Sequence, residues 1–98
     1  MTFLIETFDN PDSQDLRLKV RPSHLDYLDA NVDLLLACGA KLSDDGKTAS
    51  GGIYLVDLDS RESAELFIKA DPFYKAGLFA DVKIVNWRQA YLNRKNTL

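Results

Sequence analysis

The chain has 98 residues and a mass of 11.0 kDa, room for one compact domain with a thin core, which excludes two-domain enzymes, eightfold α/β barrels and complete dinucleotide-binding folds. Hydrophobic residues at 46% and charged residues at 28% give the balance of an ordinary globular protein rather than a disordered or fibrous one. A net charge of −3 argues against nucleic-acid partners, whose binding depends on many Lys and Arg releasing counterions, and the single cysteine, Cys38, excludes an intramolecular disulfide and a cysteine-rich zinc site.

Thr2 to Phe8 is β-branched, aromatic and aliphatic and stops at the turn-forming Asp9-Asn10-Pro11-Asp12, which predicts strand one. Asp9 to Leu18 reads as a polar loop. Pro22 and Ser23 then signal a helix start, and Leu25, Leu28, Val32, Leu35 and Leu36 recur at helical spacing up to Gly39, so helix one is expected over about 22–38, with Asp26, Asp29 and Asp33 on its wet side. Ala40 to Ser43 reads as a short strand entering the hairpin signal Asp45-Gly46, with strand three at about 50–58. Ser60 caps a second helix that runs to Ala70 and is ended by Pro72. Leu78 to Tyr91 reads as a long strand with a bulge near Ile84 to Asn86, where the apolar parity changes. Residues 92–98 are expected to be a polar tail after a single-domain core at about 2–91, within one domain spanning 1–98.

The order β-α-β-β-α-β is that of an α+β, ferredoxin-like fold: a four-stranded antiparallel sheet with two helices on one face. Phe3, Leu4 and Ile5, like Ile53 to Val56, are apolar at successive positions and therefore on both faces of the sheet. Something must cover the second face, and a homodimer packing two sheets together is the expected solution. Met1 to Phe8 lacks the basic start and long apolar stretch of a secretory signal, and no segment has membrane-spanning length, so the expected setting is cytoplasmic with no membrane partner.

Only histidine has an ordinary pKa suited to proton transfer near neutrality, and His24 is the sole one, at the edge of the apolar stripe of helix one. Asp71 falls on the inward face at the end of helix two, where a carboxylate needs a partner. Each has a plain structural alternative: a packing histidine, and an Asp-Pro helix stop. In this fold, however, both helices lie on one face of the sheet, so the carboxylate can approach the imidazole, fix its tautomer and raise the basicity of its other nitrogen. Arg21 either holds an anionic ligand or is solvated, Gly51-Gly52 either marks a close backbone approach or makes room for a ligand, and Cys38 reads as an inert small hydrophobe. The aspartates of helix one face water and cannot surround an ion, so no metal is expected.

Arg21-Pro-Ser-His24-Leu-Asp-Tyr-Leu, Gly51-Gly52, Asp71-Pro72-Phe73 followed by Ala76-Gly77-Leu78-Phe79, and Trp87-Arg88 together resemble the YciI, or YCII-related, family over about residues 2–91. The resemblance implies a dimeric α/β barrel similar to muconolactone isomerase, with His24 and Asp71 as the active-site pair. One relative is a dehydrochlorinase acting on a chlorinated hydroxyhydroquinone. The expected function is thus a small cofactor-independent lyase or isomerase in which His24 is general acid/base, Asp71 its orienter, and Arg21, Gly52 and Phe73 shape a pocket for a small aromatic or anionic compound. The alternative is a non-catalytic small-molecule-binding or stress-associated dimer.

Overall fold

Alternation along Thr2–Asp9 (β1) decides the architecture: Phe3, Ile5 and Thr7 are buried, whereas Leu4, Glu6 and Phe8 point to the other side. The computed structural model describes all 98 residues and places β1 inside an antiparallel sheet of order β2-β3-β1-β4, with β2 at Leu35–Leu42, β3 at Ala49–Asp57 and β4 at Phe79–Trp87. Helices α1 (Gln14–Ala30) and α2 (Arg61–Lys69) and the one-turn α3 (Pro72–Lys75) complete the ferredoxin-like order. Phe3, Ile5, Tyr54 and Val56 from the sheet pack with Ala64, Phe67 and Ile68 from α2, and Tyr27 and Leu28 from α1 lie against them. Truncating a ring such as Phe67 to Ala in a core of this kind costs about 3–5 kcal/mol.

Helix α2 forms where the sequence predicts it: the Ser63 N–H donates to the Ser60 side chain, with Glu62 in the first turn and Lys69 in the last. The opposite face of the sheet carries Leu4, Leu55, Ile53 and Val85, the last two exposed, and no helix covers it.

Three expectations need correction. Helix one covers 14–30 rather than 22–38; a short 3₁₀ turn follows at Val32–Leu34, and Leu35 and Leu36 belong to β2. Pro22 sits inside α1, where its missing N–H deprives only the carbonyl of Leu18, on a side of the helix that water reaches. The stripe that turns inward is Leu16, Val20, His24, Tyr27, Leu28 and Asn31, helical in spacing but poor in aliphatic residues, whereas Leu25 and Val32 are exposed. His24 is therefore mid-helix and away from the positive end of the helix. Second, β4 pairs with β1 without interruption from Val82 to Trp87; the irregularity is opposite Phe8/Asp9, where Ala80 is the extra residue. Val85 and Trp87 imitate a parity slip because this strand is apolar on both faces. Third, residues 91–96 are not a simple tail: β5 (Tyr91–Leu92) pairs with β6 (Lys95–Asn96) across a turn in which Asn93 and Arg94 have φ of 51° and 64°, both in the left-handed region that a tight hairpin uses.

Candidate functional site

The residues that open a cleft are small ones. Along β2, Cys38 and Ala40 share the helix-facing side with their partners Tyr54 and Gly52 on β3, so beneath part of α1 the sheet carries a thiol, a methyl and a bare backbone. The cleft above this floor measures about 230 Å³ and is walled by Arg17, Arg21, His24 and Leu25 from α1 and by Phe73 from α3. Gly52 lies in the floor with its N–H donating to Thr7 Oγ1 at 2.8 Å. At Gly51 the backbone has positive φ and a Cβ would collide with the Thr7 carbonyl, so a glycine is required there for the chain path itself.

Asp71 is the polar centre beside this cleft. Its carboxylate is completely buried and N-caps α3, with Pro72 in the first turn: Oδ1 accepts the Phe73 N–H at 2.8 Å. Oδ2 accepts the Tyr54 O–H at 2.9 Å, and Nδ1 of His24 lies 2.9 Å from both oxygens. The Asp-Pro helix stop and the inward carboxylate are thus one feature, although Asp71 opens α3 rather than ending α2. Burial, the charge of Asp71 and the hydrogen bond to it all push the Tyr54 phenol well above its ordinary range, so this group remains a donor.

These partners determine the imidazole tautomer. A carboxylate that already accepts an N–H on one oxygen and an O–H on the other accepts from Nδ1 as well, so Nδ1 carries the proton and Nε2 of the neutral ring keeps its lone pair. Nε2 has no hydrogen bond, and since no buried side-chain nitrogen or oxygen lacks a partner, it keeps contact with solvent on a largely buried ring that lines the cleft. Phe73 stacks on the imidazole at 3.9 Å between centroids and 16° between planes, and Tyr54 meets it edge-on.

The structure thus brings His24, Arg21, Gly52 and Phe73 together around one cleft, with Asp71 buried behind His24 and Arg21 on the exposed side of α1 rather than in a loop. Cys38 departs from expectation: it is an exposed strand residue in the cleft floor, not the buried end of a helix, and partial desolvation of its sulfur together with the charge of Asp71 pushes its thiol up to about 11. Two residues join the site without having been singled out from sequence. Tyr54 alternates with Val56 on the buried side of its strand, where a tyrosine needs a hydrogen-bond acceptor. Arg17 stands four and seven residues before Arg21 and His24, a helical spacing that becomes visible once α1 starts at 14. No cluster of three or more His, Cys, Asp or Glu is placed to hold a metal ion.

Residues 1–88 match the YCII-related domain family. The chain belongs to this family. It is 32% identical to protein YciI of Escherichia coli O6:H1 and, equally, to protein YciI of Shigella flexneri, each match covering 93% of this chain and all of the relative. Among solved structures it is similar to the 5-chloro-2-hydroxyhydroquinone dehydrochlorinase of Burkholderia phenoliruptrix in complex with 2,5-dihydroxybenzoquinone: 32% identity, a TM-score of 0.84, and coverage of 90% of this chain and 94% of that one. Membership of the family and the α+β fold therefore agree with the reading of the sequence. No helix is long and apolar enough to cross a membrane.

Proposed function

We propose that this YCII-related protein is a cofactor-independent enzyme of the lyase or isomerase type, in which His24 moves a proton on a small, flat, oxygen-bearing ring compound. The observation that carries this reading is the bare Nε2 in the cleft, on a ring whose other nitrogen is held 2.9 Å from a buried carboxylate. Nε2 takes the proton, Asp71 stabilises the imidazolium that results, and the same nitrogen returns the proton to product or solvent. Arg21, with no salt-bridge partner of its own, is placed to offset the negative charge that proton removal creates on the substrate. Phe73 and the low floor at Gly52 favour a flat molecule. The family relative bound to a dihydroxybenzoquinone supports the ligand class, and its dehydrochlorination, which removes a proton and chloride, is a reaction of the required type.

We infer further that two copies assemble through the uncovered face of the sheet, where Ile53 and Val85 are exposed beside Leu4 and Leu55.

The test is chloride release from 5-chloro-2-hydroxyhydroquinone by the wild-type chain and by His24→Ala, with binding of 2,5-dihydroxybenzoquinone measured in parallel. Turnover that falls by about 10²- to 10⁴-fold in the variant supports the proposal. Equal turnover in both removes His24 from the chemistry, and binding without any turnover leaves the non-catalytic, ligand-binding reading.

A further inference from the structure

The Arg17–Asp9 ion pair is set deeper than stability alone explains. Nε of Arg17 lies 2.8 Å from Asp9 Oδ2 and Nη2 lies 3.2 Å from Oδ1, and the two side chains retain only 11% and 4% of their exposure. Withdrawing such a pair from water costs about as much as the pairing returns, and apolar replacements often do as well. What the pair does achieve is to place a flat cation over Phe73, with the guanidinium carbon 4.8 Å from the ring centroid. The imidazole of His24 lies 3.9 Å from the same centroid. Arg17 and His24 are two turns apart on α1, about 10.5 Å along the axis, so the Phe73 ring fills the gap between them. Phe79 holds that ring edge-on at 6.2 Å.

The hydrogen bond to Asp71 leaves one freedom open. Nδ1 faces both carboxylate oxygens at 2.9 Å, which locates the nitrogen but does not choose the plane of the ring. The near-parallel stack on Phe73 chooses it. We propose that Arg17 is a positioning residue: anchored by Asp9, it backs the Phe73 ring and so sets the imidazole plane and the direction in which Nε2 points into the cleft. Arginine suits this role because its planar group pairs in bidentate fashion and stacks on an aromatic face at the same time, which lysine does not do. The proposal rests on His24 being the proton-transfer group, but its test reads the ring itself and needs no substrate.

His24 is the only histidine, so its two ring-carbon protons are unambiguous in a proton NMR spectrum of the intact protein. Stacked over Phe73, they should resonate upfield of those of a free histidine. Arg17→Met should reduce this upfield displacement while the circular dichroism stays that of a folded protein. Lys19→Met, which removes the same charge from an exposed position on α1, should leave it in place. If Arg17→Met does not fold because Asp9 is left buried and unpaired, the double variant Asp9→Asn with Arg17→Met relieves that charge and is read in the same way. Unmoved resonances in the folded Arg17 variant, or equal movement in Lys19→Met, would overturn the proposal. A retained displacement alongside lost turnover would also count against it, whereas moved resonances with no turnover in the wild type would fault only the enzymatic reading.

Discussion

Replacing Asp71 by Asn separates charge from shape at the centre of the site. The Phe73 N–H at 2.8 Å requires an acceptor, so the amide oxygen takes the place of Oδ1 and the NH₂ group takes that of Oδ2, beside Tyr54 Oη and His24 Nδ1. Nδ1, 2.9 Å from both positions, then faces an NH₂ donor and an oxygen already taken by the Phe73 N–H, which favours the tautomer with its proton on Nε2 and turns the proposed base into a donor. A proton-transfer group in the wrong tautomer loses about 10²- to 10⁴-fold, and the equivalent exchange in a serine-protease triad costs about 10⁴-fold. Stability should respond much less. Three charge-assisted hydrogen bonds become neutral ones, each weaker by about 1 kcal/mol, while burying an amide rather than a carboxylate returns part of that loss, leaving a net cost of about 1–2 kcal/mol. In a domain of this size each kcal/mol lowers Tm by about 4–8 °C. The assays are initial rates of chloride release and thermal denaturation followed by circular dichroism. Wild-type turnover in folded Asp71→Asn would refute the tautomer reasoning outright.

Other outcomes follow from the same geometry. With its thiol pushed up to about 11 from an ordinary value of 9.0, Cys38 should be alkylated by iodoacetamide at pH 8 about 10- to 100-fold more slowly than a free cysteine, its thiolate being rarer though more nucleophilic; the rate should climb as pH rises toward 11, and Asp71→Asn should raise it at fixed pH by removing the second cause of the shift. A rate equal to that of free cysteine would contradict the raised thiol of Cys38 beside Asp71. Gly52→Val puts a branched side chain on the cleft floor, 3.1 Å from the Gly39 carbonyl at its Cβ, and should abolish dihydroxybenzoquinone binding, as a titration would show. Val85→Glu, on the uncovered face of the sheet, should shift sedimentation from dimer to monomer without altering the circular dichroism; a wild type that sediments as a monomer at micromolar concentration would end the dimer proposal.

How much of this is legible before folding depends on which signals are redundant. The strands β1 and β3 and the helix α2 carry propensity, parity and caps that agree, and with the cores of β2 and β4 they give the βαββαβ order. The start of α1 lacks that agreement: Pro22 imitates a first-turn proline, and the true inward stripe from Leu16 to Asn31 includes His24, Tyr27 and Asn31, polar residues that a search for aliphatic periodicity passes over. Leu35 and Leu36 then extend the helical pattern by accident, because a strand apolar on both faces looks locally like the continuation of a helix. The nearness of His24 and Asp71 survives this error, since it depends on both helical elements packing on one face of the sheet and not on where α1 begins. Tyr54, Arg17 and the cleft position of Cys38 do not survive it, because each depends on the register of β2 with β3 or on the helical phase of residues 14–21.

The most direct test of the central claim is the tautomer of His24 in the wild-type protein, read by long-range proton–nitrogen correlation NMR at a pH where the imidazole is neutral. Asp71 as acceptor predicts a protonated Nδ1 and a bare Nε2, with nitrogen shifts to match. A ring found with its proton on Nε2 would contradict the proposed base and the mechanism built upon it.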